Sequence, residues 1–244
     1  MLHFYFSRLF LGNLMEFLAA IAGLYFLKKA DYTRSEKFFV GFLWWVIAIE
    51  TINSYAFIAY FNHYQFLSFI KGTLFERNFW IANPNKVISY SCYSYFFIAQ
   101  LHSARLKKIL KRLLILYIIT SIISFFIEGN FMTAMSSYTS MSGTVVLAVI
   151  IGAYYYEMLT SEKILQVFSS LAFYVSIAAV VWHLVVTPLY IYNSYFTASS
   201  PAFISLHSMI LQISAVFMYG VYIFALIYCA RQHPAPKRRA YCKS

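Results

Sequence analysis

Residues 201–230 read PAFISLHSMILQISAVFMYGVYIFALIYCA, a run without one Asp, Glu, Lys or Arg, followed at once by Arg231 and then by Lys237, Arg238, Arg239 and Lys243. Such a run exceeds the roughly 20 residues a helix needs to cross a hydrocarbon core of about 30 Å. An apolar helix that stops at a cluster of cations reads as a membrane span whose basic end faces the cytoplasm. Working back toward the N-terminus, similar runs place helices at about 164–190, 137–158, 109–127, 86–103, 38–60 and 7–27. The third is the weakest, being rich in Ser and Tyr (Ser89, Tyr90, Ser91, Tyr93, Ser94, Tyr95), and it borrows flanking residues to span.

Composition agrees with lipid as the solvent. The chain is 61% hydrophobic and 11% charged, where a soluble domain is roughly half apolar and about a quarter charged. The expected fold is therefore an all-α integral membrane protein: a seven-transmembrane helix bundle over 1–230 with its N-terminus outside, and a basic cytoplasmic tail over 231–244. The first apolar segment lacks a basic n-region and a small-residue cleavage site, so it reads as a retained helix. Segment 61–84 is aromatic but carries Lys71, Glu76 and Arg77, which fits an interfacial helix or outer cap better than a span. Pro188 marks a kink or stop near the end of helix 6. Cys92, Cys229 and Cys242 put no pair in an outer loop, so a disulfide framework is not expected.

The formal charge of +11 belongs to topology rather than to a nucleic-acid partner. With the N-terminus outside, the cytoplasmic side collects all the lysines and arginines except Arg8, Lys71, Arg77 and Lys86, the bias of cytoplasmic loops in the inner (cytoplasmic) membrane. The run from Arg105 to Arg112 and the tail from Arg231 read first as anchors of that side that touch anionic lipid; the sharper alternative is docking of an acidic cytoplasmic signalling partner.

Ionisable groups inside spans are costly and point to the bundle interior or to function. Four qualify: Glu16, Glu50, His183 and His207. Counted from the outer helix ends they lie about 10–15 Å deep, and neighbouring helices 1, 2 and 7 would bring Glu16, Glu50 and His207 to one polar cavity. The chemistry this offers is a ligand or proton site; the plainer alternative is hydrogen bonding that holds helices together. Haem ligation by His183 and His207 has no supporting carboxylate pattern. Every lysine is read at a loop or helix boundary, which excludes a retinal Schiff base. No metal, cofactor or enzyme activity is expected: His-Glu-x-x-His, Gly-x-Ser-x-Gly and phosphate-loop patterns are absent.

Several stretches resemble a bacterial family of uncharacterised seven-helix membrane proteins, often encoded near sensor histidine kinases. They are Ile47-Ala48-Ile49-Glu50, Ala104-Arg105-Leu106-Lys107-Lys108, Ser136-Ser137-Tyr138, Tyr154-Tyr155-Tyr156, and Ile204-Ser205-Leu206-His207 followed by Gln212, Tyr219 and Cys229-Ala230-Arg231. The chain departs from that family at Cys92 or Tyr93 and near Gly143, where its members carry further acidic residues. The resemblance implies a sensory or signalling module without a known ligand. The expectation is a sensor or receptor-like module that binds a small or lipid-derived ligand in the outer half. A transporter is its rival, and a non-catalytic subunit of a membrane complex is the third class.

Overall fold

The computed structural model describes residues 10–129, 131–161, 167–192 and 201–234. Arg8, Lys163, Lys237, Arg238, Arg239, Cys242 and Lys243 lie outside them. Local chemistry fixes where helices begin. Thr33 and Glu36 form a capping box that starts α2 at Arg34, ahead of the apolar run; Ser103 and Ser136 cap the starts of α4 and α5. Gly129 ends α4 in a left-handed conformation (φ 62°) that costs glycine nothing.

Among the described residues there are seven long α-helices and no strand: α1 (Phe10–Lys29), α2 (Arg34–Phe61), α3 (Phe79–Gln100), α4 (Ala104–Glu128), α5 (Ser137–Leu159), α6 (Leu171–Tyr192) and α7 (Pro201–Gln232). Six are long and apolar enough to cross a membrane, so the chain is a multi-pass helical bundle. The seventh, α3, is not among those six. It spans 22 residues but packs mainly on protein: α2, α4 and α5 all contact it, and Tyr90, Tyr93, Ser94, Phe96 and Phe97 are buried, while Ile88 and Tyr95 stay exposed on one flank. A helix packed on three neighbours needs an apolar surface only along its open flank, which is why its hydropathy is low.

α1, α2, α3, α5, α6 and α7 close a ring, each packed on the next, with α4 outside on α3 and α5. The ring closes where α1 and α7 end together: Ala30 bridges Pro234, and the Asp31 amide donates to the His233 carbonyl. Lys28, Lys29, Arg34, Lys37, Arg105, Lys107, Lys108 and Arg231 gather at that end of the bundle. Tight packing holds α5 to α3, since a Cβ on Gly143 would stand 2.6 Å from the Tyr90 ring. Asn83, fully buried on α3, donates to the carbonyls of Phe131 and Ala134 and accepts from the Ser136 amide, fastening the α4–α5 turn.

Three expectations change. Helix 3 starts at Phe79 instead of 86, with Pro84 inside it; proline near a helix start removes few bonds. That places Lys86 seven residues into a helix, not at a boundary. Likewise the basic run Arg105 to Arg112 lies within α4, so it forms a charged helical surface and not a loop.

The cap is shorter than expected, 62–78, built on the short 3-10 turns Ser68–Ile70 and Leu74–Glu76. Its tie is Glu76, which accepts from the Gly72 amide and the Tyr64 hydroxyl. The Gly72 amide, and then Tyr64, hold the Glu76 carboxyl below its usual range. A carboxyl whose folded pKa is depressed stabilises in full above its ordinary value, near pH 4, and loses that contribution as pH falls through the lowered one. The cap should therefore be intact at neutral pH and loosen in acid. Trp80, whose indole donates to Tyr55 beneath the cap, reports this. Its fluorescence, isolated by difference from Trp80→Phe, should step in acid, and Glu76→Gln should remove the step.

Candidate functional site

A polar layer crosses the bundle away from its basic end, assembled from two hydrogen-bonded segments. In the first, the Lys86 amine donates to the Ser140 hydroxyl (2.6 Å), and the Tyr90 hydroxyl reaches the Ser140 carbonyl (3.1 Å) and the Thr144 hydroxyl (2.8 Å). Thr144 in turn meets Thr187 of α6 (2.7 Å). In the second, Tyr93 and Tyr222 share a hydrogen bond (2.9 Å) joining α3 to α7. One turn away Tyr219 stands beside the Glu16 carboxyl of α1. Glu50 of α2 lies near enough to Glu16 for the two carboxyls to interact, with Asn53 next to it.

His183 stands between the segments. Its ring lies 4.6 Å from that of Tyr90 and edge-on to that of Tyr93 at 5.8 Å. Its Nε2 is buried without a hydrogen-bond partner among the described residues. Burying such an atom unpaired costs about 1–3 kcal/mol, and a buried polar atom left so is the kind that a functional role explains.

Three of the four residues singled out from the sequence thus meet in one layer, with Glu16 half-buried and Glu50 exposed at the edge of α2. His207 does not join them. It precedes Tyr219, the partner of Glu16, by twelve residues on α7, about 18 Å along the axis. The equal depths expected from helix ends fail because α7 is 32 residues long against 20 for α1. The same offset separates His207 from His183, whose neighbour Tyr93 bonds Tyr222, so no haem pair forms. No group of three or more His, Cys, Asp or Glu side chains able to hold a metal occurs among the described residues.

A second feature escaped the sequence. At the basic end a cavity of about 260 Å³ opens between α2, α3, α5 and α7, lined by Glu36, Gln100, His102, Tyr154, Glu157 and His233 among others. Glu157 organises its wall, accepting from the amides of His102 and Ser103 and lying 3.1 Å from His102 Nδ1. The carboxylate sits near the negative end of α5 and is offset by the positive start of α4. Glu157 is the one acidic residue within α5. A lone acid at an unfavourable helix end is the signal that pointed to a neighbouring helix start.

No family model matches this chain, and comparison with curated proteins and with solved structures found no match.

Proposed function

We propose that the chain is a multi-pass membrane sensor, a receptor-like signalling module of the cytoplasmic membrane, with its N-terminus outside and its basic end inside. The polar layer of Glu16, Glu50 and His183 is its responding element, taking up a proton or the polar group of a small or lipid-derived ligand. The basic end is its output, where the cavity and the surrounding cations meet an acidic cytoplasmic partner.

The observation that carries this reading is the unpaired His183 nitrogen between two hydrogen-bonded segments. Filling that gap joins Lys86, Tyr90 and Thr187 to Tyr222, Tyr219 and Glu16, and so couples α3, α5 and α6 to α7 and α1. Three of the coupled helices, α3, α5 and α7, reach the cavity through Gln100, Glu157 and His233. A transporter would be expected to show paired broken helices, whereas the described spans run unbroken.

The test uses the full chain in proteoliposomes, with a fluorophore at the basic end reporting rearrangement as external pH and candidate ligands are varied. Glu16→Gln and His183→Phe should keep the fold and flatten the response. Glu16→Ala should also lower stability by about 1–3 kcal/mol by taking the polar neighbour from the buried Tyr219, while Glu50→Ala, at an exposed position, should cost less. Substrate or proton flux through the pure protein would defeat the sensor reading.

A further inference from the structure

α4 touches α3 and α5 but makes no substantial contact with α2, so one side of α3 is left uncovered. The result is a recess of about 420 Å³ between α2, α3 and α4, lined by Phe38, Val87, Ile88, Cys92, Tyr95 and Leu114 together with Ser91 and Ile118. Its surface is almost wholly apolar. Of the two hydroxyls in the lining, that of Ser91 is already spent on the Val87 carbonyl one turn back, and that of Tyr95 belongs to the lining residue of α3 nearest the basic end. A recess of this kind at membrane depth is filled by hydrocarbon, because neither water nor a polar ligand finds a partner in it.

The charges near its mouth are in register with it. On α4, Lys107, Lys111, Leu114 and Ile118 follow the i, i+4, i+7, i+11 spacing that keeps residues on one face. Arg34 precedes Phe38 by four residues and shares its face of α2. All three cations lie at the basic end, and no ion pair engages any of them among the described residues. The other cations of the run, Arg105, Lys108 and Arg112, fall away from that face of α4.

We propose that this recess is a binding site for one anionic phospholipid. An acyl chain lies along Val87 to Tyr95 of α3, and the phosphate is held at the mouth by Lys107, Lys111 and Arg34. The site requires only that the bundle spans a bilayer, and it stands independently of the sensor reading and of which side the basic end faces. The lipid completes the bundle by covering the flank of α3 that no helix covers.

The experiment places the full chain in nanodiscs of phosphatidylcholine carrying a small fraction of phosphatidylglycerol or phosphatidylcholine with a photoreactive acyl chain, and maps crosslinked peptides by mass spectrometry. Crosslinks from the phosphatidylglycerol probe should concentrate on 87–95 and 114–118 and exceed those from the phosphatidylcholine probe. The double variant Lys107→Gln/Lys111→Gln should lower them roughly tenfold, since each cation near a membrane surface contributes appreciably to anionic-lipid binding. The charge-matched control Lys108→Gln/Arg112→Gln should leave them unchanged. Ser91→Phe, which fills the recess, should cut the crosslinks from both probes. Equal labelling by the two probes, equal loss in the control, or labelling spread over outward faces of α4 such as Ile119 and Phe126 would overturn the site.

Discussion

Asn83→Leu should destabilise the protein by about 3–5 kcal/mol, as removal of a partner from a buried polar network does. The substitution keeps the branched outline of the side chain and makes it apolar, so hydropathy alone predicts no harm or a gain. Yet the side chain is fully buried and makes three hydrogen bonds to backbone, at 2.8 Å to Phe131, 2.9 Å to Ala134 and 3.0 Å from Ser136. Leucine strands two carbonyls and one amide where neither water nor lipid can serve them. Thermal unfolding in a mild detergent checks the loss. Asn83→Asp serves as a partial control, because it retains the acceptor for Ser136 and forfeits the two donors.

Gly143→Ala should cost about 3 kcal/mol, the upper part of the range for overpacking. The new methyl would stand 2.6 Å from Tyr90 Cδ2 and 2.8 Å from the Tyr117 hydroxyl. Neither neighbour yields easily. Tyr90 is held by Ser140 and Thr144 and faces the His183 ring, and Tyr117 donates to the Thr139 carbonyl. Because His183 leans on Tyr90, the substitution should also disturb the polar layer, seen as a changed reactivity of His183 toward diethyl pyrocarbonate alongside the lowered melting temperature. Gly152, on the opposite and exposed face of α5 with nothing within 4 Å of an added Cβ, should accept alanine without loss.

How far the sequence carries depends on what each residue faces. Lipid-facing runs such as Ala104–Glu128 and Ser205–Gln232 announce themselves, since hydropathy measures affinity for hydrocarbon. α3 does not, because its partners are other helices: Pro84, Asn83 and Lys86 read as a break, whereas in the bundle Asn83 and Lys86 are satisfied by the α4–α5 turn and by Ser140. Helix ends were lost to a related cause. Arg34, Lys37 and Arg105 look like loop charges, yet long basic side chains at a helix end reach the headgroups without leaving the helix. Among the candidate residues, Glu16, Glu50 and His183 fall near one level, as counting placed them. His207 does not, since α7 extends well past the level of Glu16. The cavity at the basic end is assembled from the termini of several helices, a relation no single segment encodes.

The closure of α1 on α7, fastened by Ala30 with Pro234 and by Asp31 with His233, bears on how the chain is made. These two helices share the most extensive interface in the bundle while standing at opposite ends of the described sequence. During synthesis α1 is made well before α7, its main neighbour, with α2 to α6 translated between them. Over that interval Glu16 has no Tyr219 to meet, and a costly carboxyl is kept from hydrocarbon only by provisional company. The emergence of α7 is thus what releases α1 from its dependence on the insertion machinery. An interruption of translation ahead of α7 would leave α1 as the weakest segment, and the one most open to membrane quality control.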